Sequence, residues 1–92
     1  MSDLSMTIFG RVQGVYFRKS TQEQAKERHI TGWVRNRKDG TVEVLAQGQE
    51  ESLLSLLKWC KKGPRFAKVE RIDINWIEHE EAFSGFEVHS TM

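Results

Sequence analysis

Gly10-Arg11-Val12-Gln13-Gly14-Val15-Tyr16-Phe17-Arg18 joins two runs of different period and sets the pattern of the whole chain. The run that enters it, Leu4-Ser5-Met6-Thr7-Ile8, alternates apolar and polar residues, the period of a half-buried strand. The run that leaves it, Lys19 to Arg28, is rich in Gln, Glu, Ala and Lys, which favour helix. A glycine-punctuated bend between a strand and a helix lets backbone N–H groups converge on an anion. The helix dipole behind the bend adds about half a positive charge. Arg18 at the mouth of the helix carries a planar fork that can grip two phosphate oxygens at once. The expectation is an anion cradle at this bend, with one more polar group, Asn36, facing it.

Outward from this bend the chain alternates in period. The first helix has a thin apolar stripe of Phe17, Thr21 and Ala25, so tertiary packing must hold it. Ile30 to Arg37 and Thr41 to Gln47 read as two strands joined through Asn36-Arg37-Lys38-Asp39-Gly40, and Asp-Gly is a strong hairpin signal. Glu50 to Lys62 is the clearest helix, with Leu53, Leu56, Leu57 and Cys60 at i, i+3, i+4 and i+7. Gly63-Pro64 ends it. Ala67 to Ile77 reads as a fourth strand whose apolar parity changes midway, which predicts a bulge or a twist near Glu70-Arg71. His79 to Gly85 reads as a polar loop, Phe86 and Val88 as a short last strand, and residues 90–92 as a fraying end. The order β-α-β-β-α-β plus a short final strand predicts an α+β ferredoxin-like plait. Its antiparallel sheet carries both helices on one face and Phe9, Trp33 and Leu45 on the other.

Length and composition narrow the function. Ninety-two residues make one domain, 1–92. A net charge of +1 is no nucleic-acid footprint. One cysteine, Cys60, permits no internal disulfide and suits a reducing compartment; its place on the apolar stripe makes it a packed thiol. No signal peptide and no apolar run of about 20 residues is present, so a cytoplasmic protein that does not engage membrane is expected, with a monomer as the default. His29, His79 and His89 are scattered and show no metal-ligand spacing. The bend lacks the Lys-Ser/Thr pair of a Walker A loop, and no nucleophile–base–orienter set can be assembled.

What remains is an anion cradle and an amide, and here a resemblance becomes specific. Gly10 to Arg18 together with Gly32-Trp33-Val34-Arg35-Asn36, followed by Gly40, Val42 and Gly48, resembles the two signatures of the acylphosphatases, in particular the small free-standing ones. The likeness runs through the Gly63-Pro64 break to the late Phe86, essentially the whole chain. It implies metal-independent hydrolysis of carboxyl phosphates to a carboxylate and inorganic phosphate, with no cofactor. By position, Arg18 matches the family's phosphate-binding arginine and Asn36 the asparagine that positions water. Gln13, Gly14, Val15, Tyr16 and Phe17 match the backbone-amide cradle.

Two further expectations follow. The family commonly has glycine where the first helix ends, and this chain has His29, so His29 should adopt φ > 0 if the turn is kept. The competing readings are a plait that binds RNA, by stacking bases on Phe9 and Trp33, or a protein partner, and a regulatory domain resembling this family within a larger enzyme. The near-neutral charge and the missing aromatic pattern of RNA-binding plaits count against RNA.

Overall fold

A computed structural model describes residues 2–78 and 81–91 of the chain. The elements are β1 (Ser2–Arg11), α1 (Phe17–Glu27), β2 (Thr31–Asn36), β3 (Val42–Gly48), α2 (Glu50–Lys62), β4 (Lys68–Ile77) and β5 (Phe86–Val88). The five strands form one sheet in the order β4-β1-β3-β2-β5. The alternation read from the sequence sets the faces. Leu4, Met6 and Ile8 of β1, Val34 of β2 and Val42, Val44 and Ala46 of β3 are fully buried. They form one core with Phe17 and Ala25 of α1 and with Leu53, Leu56, Leu57 and Cys60 of α2.

The bulge lies where the parity change put it. Phe9 pairs with Arg71 and Gly10 with Val69, so Glu70 is the extra residue on β4. Gly10 makes the close approach possible: at φ 129°, a Cβ there would penetrate the Lys68 carbonyl oxygen. One expectation needs correction. The sheet is mixed, because β5 pairs with β2 in parallel, Gly32 opposite Phe86 and Val34 opposite Val88. Both strands therefore run towards the same end of the molecule. Burial of Phe86, at 3% exposure, fixes this short strand, and such long-range packing leaves no local sequence signal.

The end of α1 is a Schellman motif. The Ile30 N–H donates to the Ala25 carbonyl at 2.9 Å and the His29 N–H to that of Lys26 at 3.1 Å. His29 has φ 57°, the left-handed conformation expected of it. The face away from the helices is partly covered. Gln47 donates to the Glu81 carbonyl at 2.6 Å and accepts from the Phe83 N–H at 3.0 Å, so the chain near 81–83 lies over that end of β3. The expected loop at His79 to Gly85 begins outside the described residues. The expected fraying at 90–92 lies outside them at Met92, and Ser90 and Thr91 belong to no helix or strand. No described helix is long and apolar enough to cross a membrane.

Candidate active site

The C-terminal end of β1, the N-terminus of α1, the end of β2 and the end of β5 meet around one cavity of about 450 Å³. Val12, Gly14, Tyr16, Phe17, Arg18, Lys19, Asn36 and Val88 line it. It thus brings together Arg18 and Asn36, which are 18 positions apart in the chain.

The bend between β1 and α1 is shaped by two left-handed residues. Gly14 has φ 75°, with nothing within 4 Å of where a Cβ would stand, and Tyr16 has φ 62°. For tyrosine that conformation costs about 1–2 kcal/mol, and the exposed ring, at 79%, recovers nothing by burial. Strain of this kind persists where the surroundings over-determine it, and it gathers at ligand sites. Val12 and Val15 on either side are buried in the core and pin the bend. Phe17 pins the first turn of α1, its ring 5.8 Å from that of Trp59 and packed against Gly63 beyond α2.

The backbone N–H groups of residues 13–18 make no hydrogen bond among the described residues; the first paired amide is that of Ser20, to Tyr16. Tyr16 caps α1 without a side-chain hydrogen bond, and the first turn contains no acidic residue. The helix therefore presents its positive end unneutralised at the cavity. Arg18 is half-buried and has no carboxylate partner among the described residues. Its Nη1 donates to the carbonyl oxygen of His89 at 3.4 Å. The neighbouring cations differ. Arg35 and Arg37 pair with Glu43 at 2.7 and 3.6 Å, whereas Lys19 has no carboxylate partner among the described residues.

The residues predicted for the cradle divide by side chain. Gly14, Tyr16, Phe17 and Arg18 line the cavity, Phe17 with its ring packed into the core. Val15 is turned into the core, and Gln13 is turned towards the hairpin between β2 and β3. For these two only the backbone N–H could face a ligand. Val12, Lys19 and Val88 line the cavity without having been singled out from the sequence as site residues. A run of basic residues next to Arg18 was a signal for Lys19; Val88 had none, because β5 reaches the site only through its parallel pairing. Asn36 ends β2 opposite Val42, ahead of the turn in which Asp39 Oδ1 accepts from Thr41 Oγ1 at 2.6 Å. Among the described residues no group of three His, Cys, Asp or Glu could hold a metal.

On the sheet face away from the helices, Phe9 and Trp33 each carry a guanidinium against the ring. The Arg71 guanidinium lies 4.0 Å from the Phe9 ring centre, the Arg35 guanidinium 4.8 Å from that of Trp33, and the His89 ring stacks on Trp33 at 5.4 Å.

Comparison with known proteins is consistent along the chain. A family model described as acylphosphatase matches residues 4–88. An acylphosphatase of Thiobacillus denitrificans is 48% identical over 98% of this chain and 99% of its own length. The crystal structure of acylphosphatase from Bacillus subtilis superposes with a TM-score of 0.94 at 39% identity, covering 97% of this chain and 99% of that one. An acylphosphatase structure from Coxiella burnetii gives 0.91 at 38% identity, covering 96% and 92%.

Proposed function

The chain belongs to the acylphosphatase family, and from that premise we propose how its residues work. It hydrolyses a carboxyl phosphate, with Arg18 and the amides of residues 13–18 holding the phosphoryl group and Asn36 orienting the attacking water. The observation that supports this reading is the run of amides at residues 13–18 left unpaired among the described residues, in a bend whose Gly14, Tyr16, Phe17 and Arg18 line one cavity with Asn36.

The chemistry needs little more. The leaving group is a carboxylate, whose acid has a pKa near 4, so it departs without a general acid. Phosphoryl transfer passes through a loose, metaphosphate-like state, and the water then needs little activation by a base. Rate enhancement reduces to placement and to stabilising charge on the equatorial oxygens. The guanidinium holds two of these oxygens and the backbone amides the rest. The side chain of Asn36 bonds the water and sets it in line with the bond between phosphorus and the carboxyl oxygen. That bond breaks as the water oxygen attacks phosphorus, and a phosphoryl oxygen takes the water's proton. The products are a carboxylate and inorganic phosphate.

The substrate is a small-molecule acyl phosphate, acted on without cofactor or metal by a monomer in the cytoplasm. Benzoyl phosphate in excess EDTA tests this. Phosphate release well above the spontaneous rate is expected. Release at the spontaneous rate, or turnover abolished by EDTA, would overturn the proposal.

A further inference from the structure

The one hydrogen bond that the Arg18 guanidinium makes within the protein, among the described residues, runs to a main-chain oxygen at the far end of the chain, that of His89. At 3.4 Å it lies at the long end of hydrogen-bond geometry. His89 is held on three sides. Its N–H donates to the Val34 carbonyl of β2 at 2.8 Å. Its ring stacks on that of Trp33 with centres 5.4 Å apart and planes 16° from parallel. Its Nε2 lies 3.2 Å from Glu87 Oε1. Trp33 is itself steadied by the Arg35 guanidinium, which Glu43 holds at 2.7 Å. β5 beneath His89 is only three residues long, and Gln22 of α1 donates to its Phe86 carbonyl at 2.9 Å.

We propose that His89 is a positioning residue for Arg18. The stack of its ring on Trp33 fixes a carbonyl oxygen that holds one arm of the guanidinium and leaves the other N–H groups free for the phosphoryl oxygens. This rests on the reading of Arg18 as the phosphate-binding arginine. A side chain with four rotatable torsions loses less on binding when one arm is already placed. The carbonyl suits the task, because a carboxylate there would neutralise the charge the ligand needs.

The test separates this proposal from the hydrolase reading by measuring inorganic phosphate affinity, which does not depend on turnover, beside the kinetics with benzoyl phosphate. His89→Ala removes the stack and keeps the main chain; His89→Phe keeps a stacking ring. His89→Ala is expected to weaken phosphate binding and raise KM by roughly tenfold, within the ~10²-fold that misplacing a group by 1 Å can cost. His89→Phe is expected to restore both to within about twofold, since ring stacking survives. Trp33→Leu, which removes the stack from the other side, is expected to repeat the loss. Unchanged phosphate affinity in His89→Ala and Trp33→Leu overturns the proposal, even if both unfold at lower temperature. Equal impairment in His89→Ala and His89→Phe overturns it too. Phosphate affinities that follow this pattern in a chain that turns over no acyl phosphate would uphold the role of His89 and reject the hydrolase reading alone.

Discussion

Gln13 donates its side-chain amide to the carbonyl oxygen of Arg37 at 2.7 Å, and the same Nε2 reaches that of Thr41 at 2.9 Å. The bend after β1 is thus tied to the hairpin that carries Asn36, the residue next to Arg37. The proposed cradle and the proposed water-orienting amide are thereby linked through a side chain that is not among those lining the cavity. Gln13→Ala should therefore lower kcat by roughly tenfold, because one anchor of the relative placement is lost. The two lost hydrogen bonds should also cost about 1–3 kcal/mol in urea unfolding. A loss of stability with unchanged kcat would show that the tie is only structural.

Arg18 and Asn36 should fail in different ways. On the proposed reading, Arg18→Ala removes a bidentate grip made in the ground state and strengthened in the transition state, so KM should rise as kcat falls. On the same reading, Asn36→Ala removes the partner of the water alone, so kcat should fall by ~10²-fold with KM nearly unchanged. Steady-state kinetics on variants with native circular dichroism separates the two patterns. Near-normal turnover in both would reject the assignment.

His29 occupies the left-handed position at the end of α1 with φ 57° and is exposed. His29→Gly should relieve about 1–2 kcal/mol of steric strain, partly offset by the freedom glycine gains in the unfolded chain. A net gain of up to ~1 kcal/mol corresponds to a rise in Tm of about 4–8 °C for a domain this size. Activity should not change. A fall in Tm would contradict the strain argument.

Cys60 is fully buried on α2, and burial pushes its thiol up from 9.0 to about 12. The native thiol should resist alkylation at pH 8 until the chain unfolds. The folded state holds its proton through the interval in which the unfolded state releases it. Stability from this group is therefore complete below pH 9 and declines as the pH rises towards 12. Cys60→Ala should flatten that alkaline decline, measured as urea midpoint against pH, while lowering stability at pH 7 through the cavity it leaves.

Local chemistry was legible where one short stretch carries it. The parity break in β4 located the bulge at Glu70, the apolar spacing on α2 identified its buried face, and His29 in a glycine's place gave its left-handed turn. The parallel seat of β5 was not legible, because a three-residue strand declares no partner and Phe86 finds its place only in the assembled core. The side-chain tie of Gln13 and the main-chain contact of His89 were hidden for the same reason. They act on residues 24 and 71 positions away, and hydrogen bonds at such separations leave no periodic trace in the chain. Val88 reaches the cavity by that pairing as well.

The central claim is that the free main-chain amides of the bend and the Arg18 guanidinium bind the same phosphoryl group. A titration of the ¹⁵N-labelled protein with inorganic phosphate, followed by amide chemical shifts, tests it most directly. Saturable shifts are expected, concentrated on the amides of residues 13–18 and on the Arg18 Nε, with Asn36 responding and affinity falling in Arg18→Ala. Shifts centred elsewhere on the surface, or none at phosphate concentrations that inhibit turnover, would contradict it.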